Sequence, residues 1–400
     1  MKLTMQKLST PLGLFALASL MMGAYSGLYD PSFNNYLAQV HHVSEVARGG
    51  LEFPRELPGF LVVFVFTALA FLPDTRIAMV SALLVGVSLW GQGYLAPDMT
   101  RVVIWMLVWS TGTHLFMALS PSIGLRLAEE GHEGRRLGQL GSLESLGSLL
   151  GMVVVYWGAS RLHFSFGHIF ALSGTCALLA CICLFLIKPQ PLKHTRRKLV
   201  YKKQYKVYYL LNILFGARKQ IFLTFAPWVL ITMFQCKVET FALLGFCGTV
   251  LSLVFRPWLG RAIDTWGERI IIAVESFLLI FICVAYGFAP QWFSASTALI
   301  VVMICYVADQ LLFSVRIARS TYLNKIAIAK EDIAPTISMG LTLDHAVSMV
   351  VPFWGGLLWA RFGFQWVFLA AAVIALLNLF ATRLIKYETV EKAVGRPEAQ

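Results

Sequence analysis

Twelve apolar runs divide this chain of 400 residues, at about 11–37, 57–73, 77–96, 102–125, 137–160 and 165–187, then 208–234, 240–258, 270–289, 295–317, 335–359 and 364–385. At ~1.5 Å per residue each run is about long enough to cross ~30 Å of hydrocarbon as a helix. The ~10-residue alternation of a membrane β-barrel is absent. With 58% hydrophobic and only 14% charged residues, and a mean hydropathy of +0.70, the chain lacks the charged surface a soluble protein of this length needs. Its solvent is lipid. The expected fold is all-α and membrane-integral, with twelve spans in two pseudo-symmetric six-helix bundles.

The basic stretch Lys188–Lys206 fixes the orientation. It holds eight Lys and Arg, one His and no carboxylate, so it cannot enter hydrocarbon and belongs on the cytoplasmic face as a solvated linker. Threading the spans from it puts both termini in the cytoplasm of a cell with an inner (plasma) membrane. Inner segments then carry 25 Lys and Arg against 6 outside, the latter being Arg48, Arg55, Arg101, Arg161, Lys237 and Arg361. The net charge of +12 therefore reads as membrane topology, with no nucleic acid as partner. Lys2 and Lys7 before an apolar run resemble a signal peptide, but the apolar character continues to Leu37, which predicts an uncleaved first span. The expected domains are a bundle at 1–187, the linker at 188–207, a bundle at 208–387 and a cytoplasmic tail at 388–400. Seven cysteines without a CxxC pair indicate free thiols, with neither a disulfide framework nor a metal site.

The two halves repeat. Shifted by 200, Leu143-Glu144 falls on Leu343-Asp344, Ser148 on Ser348, Arg161 on Arg361 and Phe164 on Phe364; shifted by 196, Pro31 falls on Pro227 and Leu115 on Leu311. A six-plus-six duplication is the arrangement of transporters built from parallel repeats.

Charge inside hydrocarbon is costly, so its placement points to function. Asp30, His114, Glu144, Arg218, Lys219, Asp309, Asp344 and His345 all fall within spans. Ser26, Asp30 and Asn34 are four apart on one face of span 1, beside Pro31; Ser110 and His114 share a face of span 4. Asp309 and Arg316, seven apart, are expected on one face of span 10, about 10 Å from each other. Glu275 is expected one turn from the inner surface, solvated. Spans 1, 4, 7 and 10 are thus predicted to line a wet cavity. Adjacent residues point in different directions on a helix, so one of Arg218 and Lys219 is expected to face the cavity while the other pairs with a carboxylate.

Between spans 8 and 9, Gly260-Arg261-Ala262-Ile263-Asp264-Thr265-Trp266-Gly267-Glu268-Arg269 fits the pattern G-x-x-x-D-x-x-G-x-R. On this motif and the twelve-span layout the whole chain resembles the major facilitator superfamily. The resemblance implies a gate on the inner face: Gly260 and Gly267 for close helix approach and a tight turn, Asp264 accepting from a helix N-terminus, Arg269 holding an ion pair. The equivalent loop between spans 2 and 3, Pro73-Asp74-Thr75-Arg76, lacks the glycines. A second motif of the family's proton-coupled exporters is partly kept in Gly138, Gly147 and Gly151, with Met152 where that motif has proline; span 11 has Pro352-Phe353-Trp354-Gly355-Gly356. These glycines serve close helix packing equally well.

No phosphate-binding loop and no HExxH occurs, so neither ATP-driven transport nor enzymatic catalysis is expected, and no cofactor is implied. The predicted function is proton-coupled secondary transport of a small organic solute by alternating access, by a monomer in the lipid bilayer, with export favoured over uptake. Asp30, Asp309, Asp344 and His345 are the candidates for proton exchange. Asn34, His114, Arg218, Lys219 and Arg316 are the candidates for solute contact, suiting an anionic or zwitterionic solute. The alternative from another class is a non-transporting sensor or assembly partner that uses the basic linker.

Overall fold

The computed structural model describes residues 10–69, 71–188 and 201–386. Most of the basic linker, the C-terminal tail, Lys2 and Lys7 lie outside the described residues. Within them the chain is helical, with no strand: α1 (Pro11–Gln39), α2 (Glu45–Gly50), α3 (Glu52–Phe60), α4 (Val62–Ala68), α5 (Asp74–Tyr94), α6 (Met99–Arg126), α7 (Glu133–Ser160), α8 (Phe166–Leu186), α9 (Lys206–Thr232), α10 (Val238–Trp292), α11 (Ala295–Leu312), α12 (Arg316–Ile326), α13 (Ile333–Phe362) and α14 (Phe364–Ala381).

Local chemistry sets the ends. Thr10 caps α1, its hydroxyl accepting from Gly13 N at 3.1 Å, with Pro11 in the first turn. Asp98 caps α6 through Arg101 N at 3.0 Å. Ser165 and His168 form a capping box at α8. Inside α10 the helix breaks at Gly267, whose φ of 79° and ψ of 159° suit glycine and few other residues. Helix and turn thus replace the expected loop at 260–269: the helix runs on through Trp266 before it turns.

Among the described residues nine helices are long and apolar enough to cross a membrane. One of them, α10, holds two of the expected spans on either side of Gly267. The expected span at 208–234 is helical as α9, which falls outside those nine. The expected span at 57–73 is divided between α3 and α4, which meet at Leu61; Pro58, inside α3, lacks a backbone donor. Span 10 is not α-helical throughout. A 3-10 turn at Phe313–Val315 separates α11 from α12 and resets the helical register.

By packing, the described residues fall into two compact units. One comprises those within 10–47, 53–188 and 227–249; the other those within 48–52, 201–226 and 250–386. Residues 48–52 thus belong to the second unit and 227–249 to the first.

In the first unit α1 packs on α7 and α8, and α5 on α6 and α8. Lipid gives helices no hydrophobic reason to associate, so close van der Waals contact must hold them. The α1–α7 crossing supplies it. A Cβ at Gly23, Gly27 or Gly147 would overlap the backbone oxygen of Glu144, Ser148 or Leu20, respectively. Gly147 and Gly151 therefore act as packing residues, while Gly138 faces open space. The second unit has a core that includes Tyr205, Tyr208, Leu259, Ile272, Leu323 and Ala375. The repeat is visible in these crossings. Gly23 and Glu144 meet through backbone in the first unit; their repeat positions, Lys219 and Asp344, meet in the second as an ion pair.

Candidate functional site

The second unit concentrates buried charge. On α9, Arg218 and Lys219 are 2% and 7% exposed, and each has its own carboxylate. Arg218 Nη1 donates to Asp309 Oδ1 of α11. Lys219 Nζ lies 2.9 Å from both carboxylate oxygens of Asp344 on α13, and Ser348 Oγ reaches Asp344 Oδ1 at 3.5 Å. Neither cation is left over: both are neutralised, where one had been expected to face a cavity unpaired.

A third pair stands beside them. Glu275 is 1% exposed, and Arg319 Nη2 donates to its Oε2 at 2.9 Å. Glu275 is therefore buried, correcting its expected solvation at the inner surface. The Arg319 guanidinium also lies over the Phe215 ring, 4.2 Å from its centroid. The 3-10 turn after α11 explains why Arg319, and not Arg316, turns inward. Arg316 is exposed and rests on the Phe313 ring at 5.4 Å, so it does not line a face with Asp309. His345, next to Asp344, is half-buried.

These pairs are not fully satisfied. Among the described residues Arg218 Nη2, Glu275 Oε1 and Arg319 Nε and Nη1 are buried with no hydrogen-bond partner. Charges in a low-dielectric interior tolerate such gaps poorly. A cluster in which one acid and two cations keep unsatisfied hydrogen-bonding positions is chemically suited to gaining or losing a proton, or to exchanging partners.

The first unit holds the other candidates. Ser26 Oγ donates to Asp30 Oδ2 at 2.5 Å, and the Asp30 side chain is exposed. Asn34 and His114 are half-buried. His114 Nδ1 is 2.9 Å from Ser110 O and 3.1 Å from Ser110 Oγ, which donates onward to Arg55 O. A His114 ring nitrogen and a Glu56 carboxylate oxygen lie within 4.8 Å, and Glu56 also pairs with Arg55 at 3.2 Å. Tyr29 Oη donates to Gln92 Oε1 at 3.0 Å, under Trp109 and Phe170. The candidates Asp30, Asn34 and His114 of this unit thus sit among hydrogen-bonding groups, whereas Arg218, Lys219, Asp309 and Asp344 of the second are paired charges.

On the motif at 260–269 the structure redistributes the parts. A Cβ at Gly260 would meet nothing within 4 Å, so close approach is not its role here. Asp264 and Arg269 are exposed, and neither makes an ion pair among the described residues. The acid that turns inward is Glu268, 0% exposed, paired with Lys325 at 2.8 Å. In the first unit the loop without glycines nevertheless forms an ion pair: Asp74, at the start of α5, meets Arg126 at the end of α6. Where the linker enters α9, Lys202 meets Asp332, and Tyr205 Oη donates to the other Asp332 oxygen at 2.8 Å. The hydrogen bonds from Lys202 and Tyr205 hold the Asp332 carboxyl below its ordinary value, and the bond to Asp332 raises Lys202.

Sequence reasoning missed Arg48, Glu52, Gln220, Glu268 and Arg319. Arg48 counted as a solvated outer charge, yet it is 1% exposed. The usable signal was its spacing: Arg48 and Glu52 are four apart, one helical turn, as an ion pair requires.

Solved transporters share this fold. A nucleoside transporter, NupG, matches with a TM-score of 0.73 at 12% identity, over 94% of this chain and 98% of that one. A D-xylose-proton symporter matches at 0.71 and 17%, over 94% and 97%. The xylose transporter XylE from E. coli, inward open, matches at 0.72 and 14%, over 96% and 99%. No curated protein sequence matches the chain. The family described as Major Facilitator Superfamily matches over residues 57–323, and with the multi-pass helical fold around these buried charges, the chain belongs to that superfamily of membrane transporters.

Proposed function

We propose that the protein is a proton-coupled secondary transporter of a small organic solute, in which Asp309 and Asp344 take up and release the proton. The observation that carries this reading is the pairing of each acid with a cation on α9, inside apolar helices. A carboxylate so placed has two exclusive partners, the cation or a proton. Protonation frees the cation, and release of the proton restores the pair. Coupling needs such an exchange. Arg218 and Lys219 contact an acidic group of the solute by the same route, the solute carboxylate taking the place of Asp309 or Asp344. Asp30, bonded to Ser26 and open to solvent, and His345 beside Asp344 serve as proton entry. Asn34 and His114 supply hydrogen bonds to the solute, and exposed Arg316 attracts it. That a proton symporter has the same fold supports the fold's capacity for this chemistry and nothing finer.

The protein works as a monomer in a plasma membrane, with its termini and linker in the cytoplasm and the gate of the inner face around 260–269. Export is the favoured direction. The test is transport in proteoliposomes under an imposed pH gradient, screened over organic anions, cations and zwitterions. A solute whose flux follows the proton gradient in the parent chain, but not in Asp309→Asn or Asp344→Asn, is the expected result. Flux indifferent to the gradient, or unchanged in both variants, rejects proton coupling at these acids.

A further inference from the structure

Residues 48–52 follow α1 in the chain, in what the apolar pattern makes a solvated connection, yet they pack as part of the second unit. Arg48 and Glu52 are 1% and 0% exposed, with Arg48 Nη1 2.5 Å from Glu52 Oε1. Gln220 Nε2 of α9 donates to the other Glu52 oxygen at 2.6 Å. Between the two charged residues the backbone sits directly on α13. A Cβ at Gly49 would overlap the Pro352 carbonyl oxygen and lie 3.3 Å from the Phe225 ring of α9. One at Gly50 would lie 3.9 Å from the Phe353 ring. Gln220 and Phe225 are ~21 and ~28 Å along α9 from its start at Lys206, at the helical rise of ~1.5 Å. The segment is seated on the part of α9 far from the linker.

Two features distinguish this seat from permanent packing. The segment is five residues long, and Ala47 before it and Phe53 after it belong to the other unit. Its hold on the second unit is therefore local. The α9 surface next to it, moreover, is left unsatisfied. Gln220, which meets Glu52, and Thr224, one turn further along α9 and next in the chain to Phe225, are both 0% exposed, and among the described residues Gln220 Oε1 and Thr224 Oγ1 have no hydrogen-bond partner. Buried polar atoms like these are costly, and a state in which water or solute reaches them removes that cost.

We propose that residues 48–52 are a movable cover on α9 and α13 that lifts during transport to open the α9 face at Gln220 and Thr224; it is latched through Glu52 to Gln220, while Arg48, within the cover, holds the Glu52 carboxylate in place. Glu52 and Gln220 are then positioning residues of a gate. The inference rests on membership of the transporter family and does not require the proton coupling proposed above.

The test uses the full chain carrying Thr224→Cys with Gly50→Cys and Phe353→Cys, in membranes. Modification of Cys at 224 by a water-soluble maleimide is read peptide by peptide in mass spectra. With the 50–353 pair reduced, the cover cycles and position 224 is modified; with the pair oxidised, the rate falls by about tenfold or more, because the open state is no longer populated. The reduced and oxidised forms are the same polypeptide, so the reduced sample controls for folding. In the chain with Thr224→Cys alone, Glu52→Ala should speed modification, while Glu52→Gln, which keeps an acceptor for Gln220, should remain near the parent. Failure of the 50–353 pair to oxidise, equal rates in both redox forms, or no effect of Glu52→Ala each overturns the proposal. Loss of flux coupling in the proton experiment leaves it standing.

Discussion

Lys219 holds Asp344 symmetrically, its ammonium 2.9 Å from each carboxylate oxygen, and the two are repeat partners of the Gly23–Glu144 backbone contact in the other half. An interior that elsewhere uses glycine to bring helices together uses a neutralised charge pair here. This pair costs desolvation that glycine does not, so its retention is understandable where charge has work to do in transport.

Removing one member of a buried pair should therefore be worse than removing both. Lys219→Gln or Arg218→Gln leaves Asp344 or Asp309 buried without its cation, and a destabilisation of about 3–5 kcal/mol is expected. Adding Asp344→Asn or Asp309→Asn to the matching single variant should recover most of it. Melting temperatures of the four single and two double variants check this. If a double variant melts no higher than its cation single variant, that pair is not the source of the loss.

Gly216 tests the geometry of the same pair from the side. A Cβ there would overlap Asp344 Oδ1, so Gly216→Ala should push the carboxylate off Lys219. The expected cost is about 1–3 kcal/mol, the usual penalty of overpacking. A melting curve indistinguishable from the parent would mean that Asp344 has room to rotate away.

At the inner motif the two acids make opposite expectations. Glu268, buried and ion-paired with Lys325, should give the larger effect: Glu268→Gln removes the charge of the pair and lowers stability by about 1–3 kcal/mol, the range for a buried polar group that loses its partner. Asp264 is exposed, and Asp264→Asn should change stability by less than about 0.5 kcal/mol. Its gating role is judged separately, from transport and from thiol labelling on the inner face. Reduced transport with unchanged melting supports a gate at Asp264; no change in either assigns it to the solvated surface.

The contact at the end of the linker is pH-dependent in a defined window. Asp332 is held below its ordinary 3.8, so its contribution is complete above that value and fades as pH falls through the lower folded value. Lys202 is raised above its ordinary 10.5, so its contribution is complete below that value and fades as pH rises through the higher folded value. The difference in melting temperature between the parent and Asp332→Asn should be flat between these limits and vanish in strong acid. Added salt should shrink it, because Lys202 is open to solvent. A difference that persists in strong acid would assign the effect of Asp332→Asn to packing.

Orientation is tested by fusion. A reporter active only in the cytoplasm, joined after Lys206, should give signal. Signal from an outer-compartment reporter at the same position would invert the threading.

Much of this molecule was legible in the order of its residues, because lipid imposes a simple rule. Each backbone polar group must be satisfied within its own helix, so apolar run length alone located the helices. The cost of charge in hydrocarbon likewise singled out Arg218, Lys219, Asp309 and Asp344. What the sequence could not decide was which charge meets which, since pairing depends on helix crossings and not on spacing along one helix. Asp309 took Arg218 from another helix, where the linear pattern offered Arg316, because a 3-10 turn at Phe313–Val315 rotated the following residues by an amount no periodicity announces. Arg48 and Glu52 looked like solvated connection residues because they flank no apolar run of their own. Only the three-dimensional seat of Gly49 on the Pro352 carbonyl takes them out of water.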